Sequence, residues 1–289
     1  MSLLKATIRW IRETADKIIS WRGTPYIILV SFSAVLLFPI YWTLNTSFKV
    51  SNEIKAWPPS FIPQSFTIEN YVEALRFSPI GQNILNSLIY AGSATAFVVV
   101  IGVLTTYGFT IYDYKWDNKV AFGFLATRLI PPQALWLPFI IFYSRMGLAN
   151  SRGGVVIFLI VLNYPLAVWM LRGTFEAFPK ELIDSAKVDG ASRLQTLLRV
   201  VLPVVAPGVG AVSIITFLWS WNEFMFPFLF LNSPGKYPVT VGIYHFIGDL
   251  GTKWGPLTAS GMLIMLPGII FFIFAQRYIV EGLAEGAVD

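Results

Sequence analysis

Residues 184–203 read DSAKVDGASRLQTLLRVVLP, a charged stretch that turns on a glycine between two long apolar segments. Its shape can be built outward from the turn. Pro179 has a fixed φ suited to the first turn of a helix. From Lys180 to about Val188 the pattern predicts a short helix, with Leu182, Ile183 and Ala186 on one face and Glu181, Asp184, Ser185 and Lys187 around the rest. Asp189-Gly190 stops it, because glycine adopts the left-handed conformation of a helix C-cap. Ser192 restarts the chain, and Gln195 three residues on completes a capping-box pattern. Leu194, Leu197, Leu198 and Val201 then recur at helical spacing, and Pro203 marks the start of the next apolar run. The result is two amphipathic helices joined by a tight turn. Such a hairpin either lies on a membrane surface or lodges in a groove of a soluble partner, for which nine helical residues make a rod of roughly 13 Å.

Around this hairpin the chain is oily. Of 289 residues, 55% are hydrophobic and only 13% charged, with a mean hydropathy of +0.64, which places the protein in a bilayer rather than in water. Six segments meet the length of about 20 apolar residues that a helix needs to cross the hydrocarbon core: 24–44, 84–112, 119–143, 153–172, 204–231 and 258–280. The expected fold class is therefore all-α integral membrane, one six-transmembrane-helix bundle. Zero cysteines exclude a disulfide framework, a thiolate metal site and a cysteine nucleophile, and one histidine leaves little for zinc or Ser-His chemistry. The net charge of +5 does not form one basic stripe of the kind nucleic acid requires. It reports orientation instead: with alternate loops assigned to alternate sides, 13 Lys and Arg lie on the side of the N-terminus and 7 on the other, with Arg128 within a span. By the positive-inside rule both termini face the cytoplasm.

The organisation that follows is a cytoplasmic segment 1–23, a six-span membrane domain 24–280 holding the hairpin loop at about 176–203, and a cytoplasmic tail 281–289. Residues 3–19 carry Leu4, Ile8, Ile11, Ile18 and Ile19 among basic residues, either an interfacial helix or a charged lead-in. The run after it is too long for a signal-peptide core and is read as an uncleaved span. In the first external segment, about 49–83, prolines block a helix until Thr67 caps a short one through Tyr71 and Leu75. Pro131, Pro132 and Pro138 disfavour a straight third span, which then either lines a pathway or holds a static kink. Arg128 there is expected to pair structurally. In the fifth span Trp219, Trp221, Asn222 and Glu223 bring aromatic, amide and acid groups together, although a Trp also serves as an interface anchor.

The segment 184–203 resembles the EAA loop of ABC-transporter permeases, whose pattern is Glu-Ala-Ala, a glycine four residues on, nine residues, an aliphatic residue, one more, then Leu-Pro. Asp184, Ser185 and Ala186 stand at the first three positions, Gly190 at the glycine, and Val200, Leu202 and Pro203 at the end. Asp184 and Ser185 depart from the literal motif while keeping an acid. Similarity runs along nearly the whole chain and is nearest to the second permease of maltose-transporter-like carbohydrate importers, carried by NYVEAL, NSLIYAG, WNEFMFPFLFLN and RYIVEGLAEGAV together.

That resemblance implies a multi-pass subunit of the cytoplasmic (inner) membrane that moves a sugar, a di- or oligosaccharide, inward by alternating access. Its implied partners are a homologous permease, two ATPase subunits, an extracytoplasmic sugar-binding protein and the surrounding lipid, with no nucleic acid. The chain carries no phosphate loop, so it binds no cofactor, and ATP with Mg²⁺ belongs to the ATPase subunits. No catalytic or metal residue is expected. The hairpin becomes a coupling helix, with Asp184, Ser185, Ala186, Asp189, Gly190, Leu194, Leu197 and Pro203 as coupling residues: Asp184 for a polar contact with the ATPase, Gly190 for the turn, Leu194 and Leu197 for apolar docking. Trp221, Asn222 and Glu223 are the candidate substrate-pathway residues. An ion-coupled transporter acting without an ATPase is the alternative, and it would want more charge along the spans than Arg128 and Glu223 provide.

Overall fold

Lipid offers a backbone no hydrogen-bond partners, so apolar runs of this length close their bonds within themselves as helices. The computed structural model describes residues 23–112, 117–248 and 251–285. Its principal elements are α1 (Thr24–Ser47), α2 (Glu69–Arg76), α3 (Ile80–Tyr112), α4 (Asp117–Thr127), α5 (Pro132–Arg145), α6 (Arg152–Glu176), α7 (Lys180–Val188), α8 (Arg193–Thr196), α9 (Leu202–Asn222), α10 (Met225–Phe230) and α11 (Trp254–Glu285). A two-stranded antiparallel turn pairs Ile247 with Thr252 and Gly248 with Gly251. The expected segment at 3–19 and the last residues of the tail, 286–289, lie outside the described residues.

Among the described residues, five helices are long and apolar enough to cross a membrane: α1, α3, α6, the run Arg193–Asn222, and α11. The expected third span is two shorter helices. α4 ends at Thr127, a tight turn carries Arg128 to Ile130, and α5 restarts at Pro132. Pro131 and Pro132 cause the break, since neither has an amide hydrogen to continue the ladder and a residue before proline is pushed out of the helical region. Pro138, expected to act with them, instead lies inside α5. The fifth span also differs from its expected continuous form, because α9 ends at Asn222 and the chain restarts as α10 at Met225.

The chain separates into two compact units. Among the described residues, one holds those up to Tyr71 with Trp254–Met262; the other holds those from Val72 to Lys253 and from Leu263 to Glu285. In the first, the apolar side chains of α1 from Tyr26 to Leu37 are mostly exposed, as a lipid-facing or partner-facing helix requires. The segment beyond α1 is pinned by polar contacts. Asn70 Nδ2 donates to the carbonyls of Ser47 (2.9 Å) and Lys49 (2.8 Å), Phe48 stacks on Phe66, and Thr67 Oγ1 accepts from Glu69 N at 3.1 Å, the cap expected for α2.

One side chain there makes the pinning pH-dependent. The Glu53 carboxylate accepts from Ser60 Oγ and from the backbone N–H groups of Gln64 (2.9 Å) and Ser65 (3.2 Å). These bonds favour the charged form, the Ser60 hydroxyl most, and hold its pKa below the ordinary carboxylate value. A depressed folded pKa contributes order that is complete above the ordinary value and lost as pH falls through the lowered one. Protease nicking between residues 55 and 66 is therefore expected to rise on acidification through the carboxylate range, and Glu53→Gln is expected to raise it at neutral pH. Equal nicking at pH 7 and pH 3 would contradict this.

The second unit is built on α3, α6 and α9. Phe158 on α6 stacks on Phe226 of α10 with centroids 3.7 Å apart, and Tyr90, Tyr143 and Phe230 close around them. Polar pairs lock the same helices: Asn163 Nδ2 of α6 donates to Ser220 Oγ of α9 at 3.2 Å, and Thr105 of α3 meets Tyr164 of α6 at 2.8 Å. Interhelical hydrogen bonds of this sort hold helices together where apolar burial gives little preference over lipid.

Candidate functional site

The hairpin forms as its residues dictate. α7 runs Lys180–Val188 with Ile183 and Ala186 buried, and Pro179 stands one residue before the first turn as the N-cap. Gly190 has φ +79°, its N–H donates to the Lys187 carbonyl (3.0 Å), and the N–H of Ala191 donates to the Ala186 carbonyl (3.0 Å). Those two bonds together are a Schellman C-cap, which satisfies carbonyls that the end of the helix would leave open. Ser192 N donates to Gln195 Oε1 at 2.8 Å and Gln195 N to Ser192 Oγ at 3.4 Å, so the capping box is complete. Ser192→Ala is expected to destabilise this turn by about 1 kcal/mol, read as faster amide exchange over 193–196; unchanged exchange would place the turn's stability elsewhere.

Beyond α8 the backbone widens into one π-helical turn, Leu197–Val201, closed by the N–H of Leu202 on the Leu197 carbonyl. The widened turn ends just before Pro203, whose ring would crowd the Arg199 carbonyl in a regular helix. A π turn inserts one residue into the helical repeat and rotates everything after it. The apolar stripe divides along its length into a buried and an exposed edge. Leu197 and Val201 are buried at 3% and 0% exposure, whereas Leu194 and Leu198 stay exposed. The docking role expected of Leu197 does not fit this placement, because its side chain is spent inside the chain. The second arm is also not a separate short helix but the first part of a continuous run, Arg193–Asn222.

This packing makes the hairpin stiff. Ile183, Leu197 and Val201 share one cluster with Leu171 and Phe175 of α6, Val98 and Val103 of α3, and Val205 and Val212 of α9. Tyr107 Oη of α3 also donates to the Arg193 carbonyl at 2.8 Å. Outward, Asp184 is exposed and pairs with Lys187 at 2.8 Å, Ser185 Oγ donates to the Glu181 carbonyl, Asp189 caps α7, and Pro203 is exposed. The surface also shows an apolar residue that spacing did not single out, Val188, 88% exposed; Leu194 is exposed as well, and so is Leu182, which was expected on one face with the buried Ile183 and Ala186. Val188 falls out of phase with the buried face of α7, and that phase mismatch was its sequence signal.

The fifth-span residues divide differently from expectation. Trp221 is buried and stacked with Phe217, centroids 5.9 Å apart. The Glu223 carboxylate accepts from Phe226 N at 3.1 Å, and its carbonyl accepts from Thr240 Oγ1 at 2.8 Å, so it holds the joint between α9 and α10. Asn222 is exposed, with Nδ2 donating to the Leu218 carbonyl at 2.7 Å. The structure therefore leaves Asn222 exposed and commits Trp221 and Glu223 to packing and capping. Arg128, expected to pair structurally, stacks against Trp219 at 4.7 Å beside a cavity of about 510 Å³.

Residues 71–285 match the family model described as binding-protein-dependent transport system inner membrane component. A putative ABC transporter permease protein of Streptomyces antibioticus is 35% identical over 227 residues, covering 78% of this chain and 99% of its own length. The sulfoquinovosyl glycerol transport system permease protein of Agrobacterium fabrum is 29% identical, covering 87% of this chain and 88% of its own. Among solved structures, a bacterial ABC transporter involved in import of the acidic polysaccharide alginate superposes with a TM-score of 0.78 at 20% identity, over 91% of this chain and 97% of that one.

Proposed function

The chain belongs to the family of binding-protein-dependent transport system inner membrane components, and from that premise we propose that it is the second permease of a carbohydrate importer, moving a di- or oligosaccharide into the cell. As a permease of an ABC importer it does no chemistry of its own. In this reading it pairs with a homologous permease, docks two ATPase subunits that hold ATP and Mg²⁺, and receives sugar from an extracytoplasmic binding protein. It binds no cofactor itself. α4 and α5 together make the remaining crossing, giving six spans with both termini in the cytoplasm.

The observation that carries the proposal is the hairpin: an exposed rod and glycine turn whose inner face is packed into the cluster formed by α3, α6 and α9. Force applied to the rod passes directly to three long helices. Closure of the ATPase pair on nucleotide then biases a two-state bundle, and the permease alternates its access. Asp184 offers the polar contact to the ATPase, Val188 and Leu194 the apolar ones, and Gly190 the turn between them. Sulfoquinovosyl glycerol and alginate, the cargoes named for two of the similar transporters, favour a carbohydrate cargo.

The test is to purify the complex through this chain, reconstitute it in proteoliposomes with its binding protein, and screen saccharides for stimulated ATP hydrolysis and uptake. Copurification of an ATPase together with saccharide-stimulated hydrolysis is expected. Uptake by this chain alone, driven by an ion gradient, would overturn the reading.

A further inference from the structure

Arg128 stands in the turn between α4 and α5, inside the apolar stretch 119–143, where an unpaired arginine is costly to bury. Its Nε and Nη2 are buried and have no hydrogen-bond partner among the described residues. Those two atoms share one edge of the planar guanidinium, and their N–H bonds run parallel, the geometry that receives both oxygens of a carboxylate. The face of the group lies 4.7 Å from the Trp219 ring. The neighbouring cavity, about 510 Å³, is walled mainly by aliphatic and aromatic side chains, Phe124, Phe139 and Phe158 among them, with Arg128, Thr127 and Tyr164 as its polar points. Its volume falls within the about 300–1,000 Å³ usual for small-molecule sites. Aromatic walls suit the apolar faces of a sugar ring, while the hydroxyls of Thr127 and Tyr164 are already engaged by the Phe124 carbonyl and by Thr105.

We infer that the Arg128–Trp219 cavity is a binding subsite for the carboxylate of an acidic sugar in transit through the membrane. This rests on the carbohydrate-importer reading and narrows its cargo. A carboxylate satisfies both donors of the open edge and neutralises the charge, whereas a neutral saccharide does only the first. Trp219, itself half-exposed, covers the face of the guanidinium and not this edge. Arg128 and Trp219 are 91 positions apart in the chain, so the subsite depends on how their helices are arranged.

The test uses the assembled permease–ATPase complex in nanodiscs without its binding protein, and calorimetric titration with digalacturonate and with its uncharged dimethyl ester. The acid is expected to bind about tenfold tighter or better, the modest end of what a buried charge pair contributes. Arg128→Gln is expected to erase the preference. Arg128→Lys keeps the charge but not the fork, so it retains part of the preference and carries the test if the glutamine variant fails to assemble. Equal binding of acid and ester to the wild-type complex overturns the inference, and so does a preference unchanged in both variants. A glutamine variant that sheds its partner permease, with acid and ester bound equally by the wild type, assigns the guanidinium to a carboxylate of that partner and also overturns it. If neither compound binds while other saccharides still stimulate hydrolysis, the acidic class is wrong and the importer reading stands. If no saccharide stimulates hydrolysis, the importer reading itself has failed.

Discussion

Replacing Gly190 with valine is expected to abolish coupling while leaving the chain inserted: uptake falls tenfold or more, and the ATPase copurifies poorly. The cause is local backbone geometry. Gly190 sits at φ +79°, and a Cβ placed there meets nothing within 4 Å, so no clash with a neighbour is involved. What valine cannot do is hold the left-handed conformation, which costs an ordinary L-residue about 1–2 kcal/mol, and a β-branched one is worse placed still. Against a marginal hairpin that is a factor of roughly 5–30 in the population of the folded turn. Losing the turn also opens the Schellman bonds to Lys187 and Ala186 and turns the rod into a loop.

A graded series separates this cause from simple bulk at a docking surface. Asparagine tolerates the left-handed region several-fold better than other non-glycine residues. If conformation decides, Gly190→Asn should retain more uptake than Gly190→Ala, and Gly190→Val least. If a close-fitting ATPase groove decides, alanine should do best and asparagine should resemble valine. Copurification of the ATPase by pull-down, run beside uptake in proteoliposomes, distinguishes the two orders. Full activity in all three variants would remove the turn from the coupling path.

How far the sequence could be read depended on whether a feature was local. The limits of α7, the glycine stop and the capping box were legible because each is decided by backbone bonds within a few residues. The break at Pro131 and Pro132 was legible for the same reason. What failed was any statement about which side of an apolar helix faces in. α9 is apolar around most of its circumference, so spacing did not show that Trp221 is buried and stacked on Phe217. The stripe through Leu194, Leu197, Leu198 and Val201 was read as one face, yet its edge at Leu197 and Val201 is buried while the edge at Leu194 and Leu198 is exposed, a division that spacing alone does not decide. The meeting of Arg128 with Trp219 is a tertiary fact with no counterpart in spacing.

The interface between α6 and α9 yields the other large effect expected. A Cβ added at Gly208 would lie 2.3 Å from Thr174 Oγ1, 2.5 Å from its Cγ2 and 2.9 Å from its Cβ. No rotation of the threonine clears all three, because its own Cβ is among them. Small residues are what allow helices in a membrane to approach this closely and gain dispersion and polar contacts. Gly208→Ala must therefore force α6 and α9 apart, straining the Asn163–Ser220 bond further along the same interface. Overpacking of this kind typically costs about 1–3 kcal/mol, and the expected readout is a lowered midpoint in thermal unfolding of the purified complex, with reduced uptake. Thr174→Ala combined with Gly208→Ala removes the two nearest atoms and should recover part of the loss, a positive coupling that independent sites would not show. Gly208→Leu should prevent assembly outright. Should Gly208→Ala prove silent, the two helices do not approach as closely as the structure places them, and the stiffness attributed to the hairpin loses its anchor in α6.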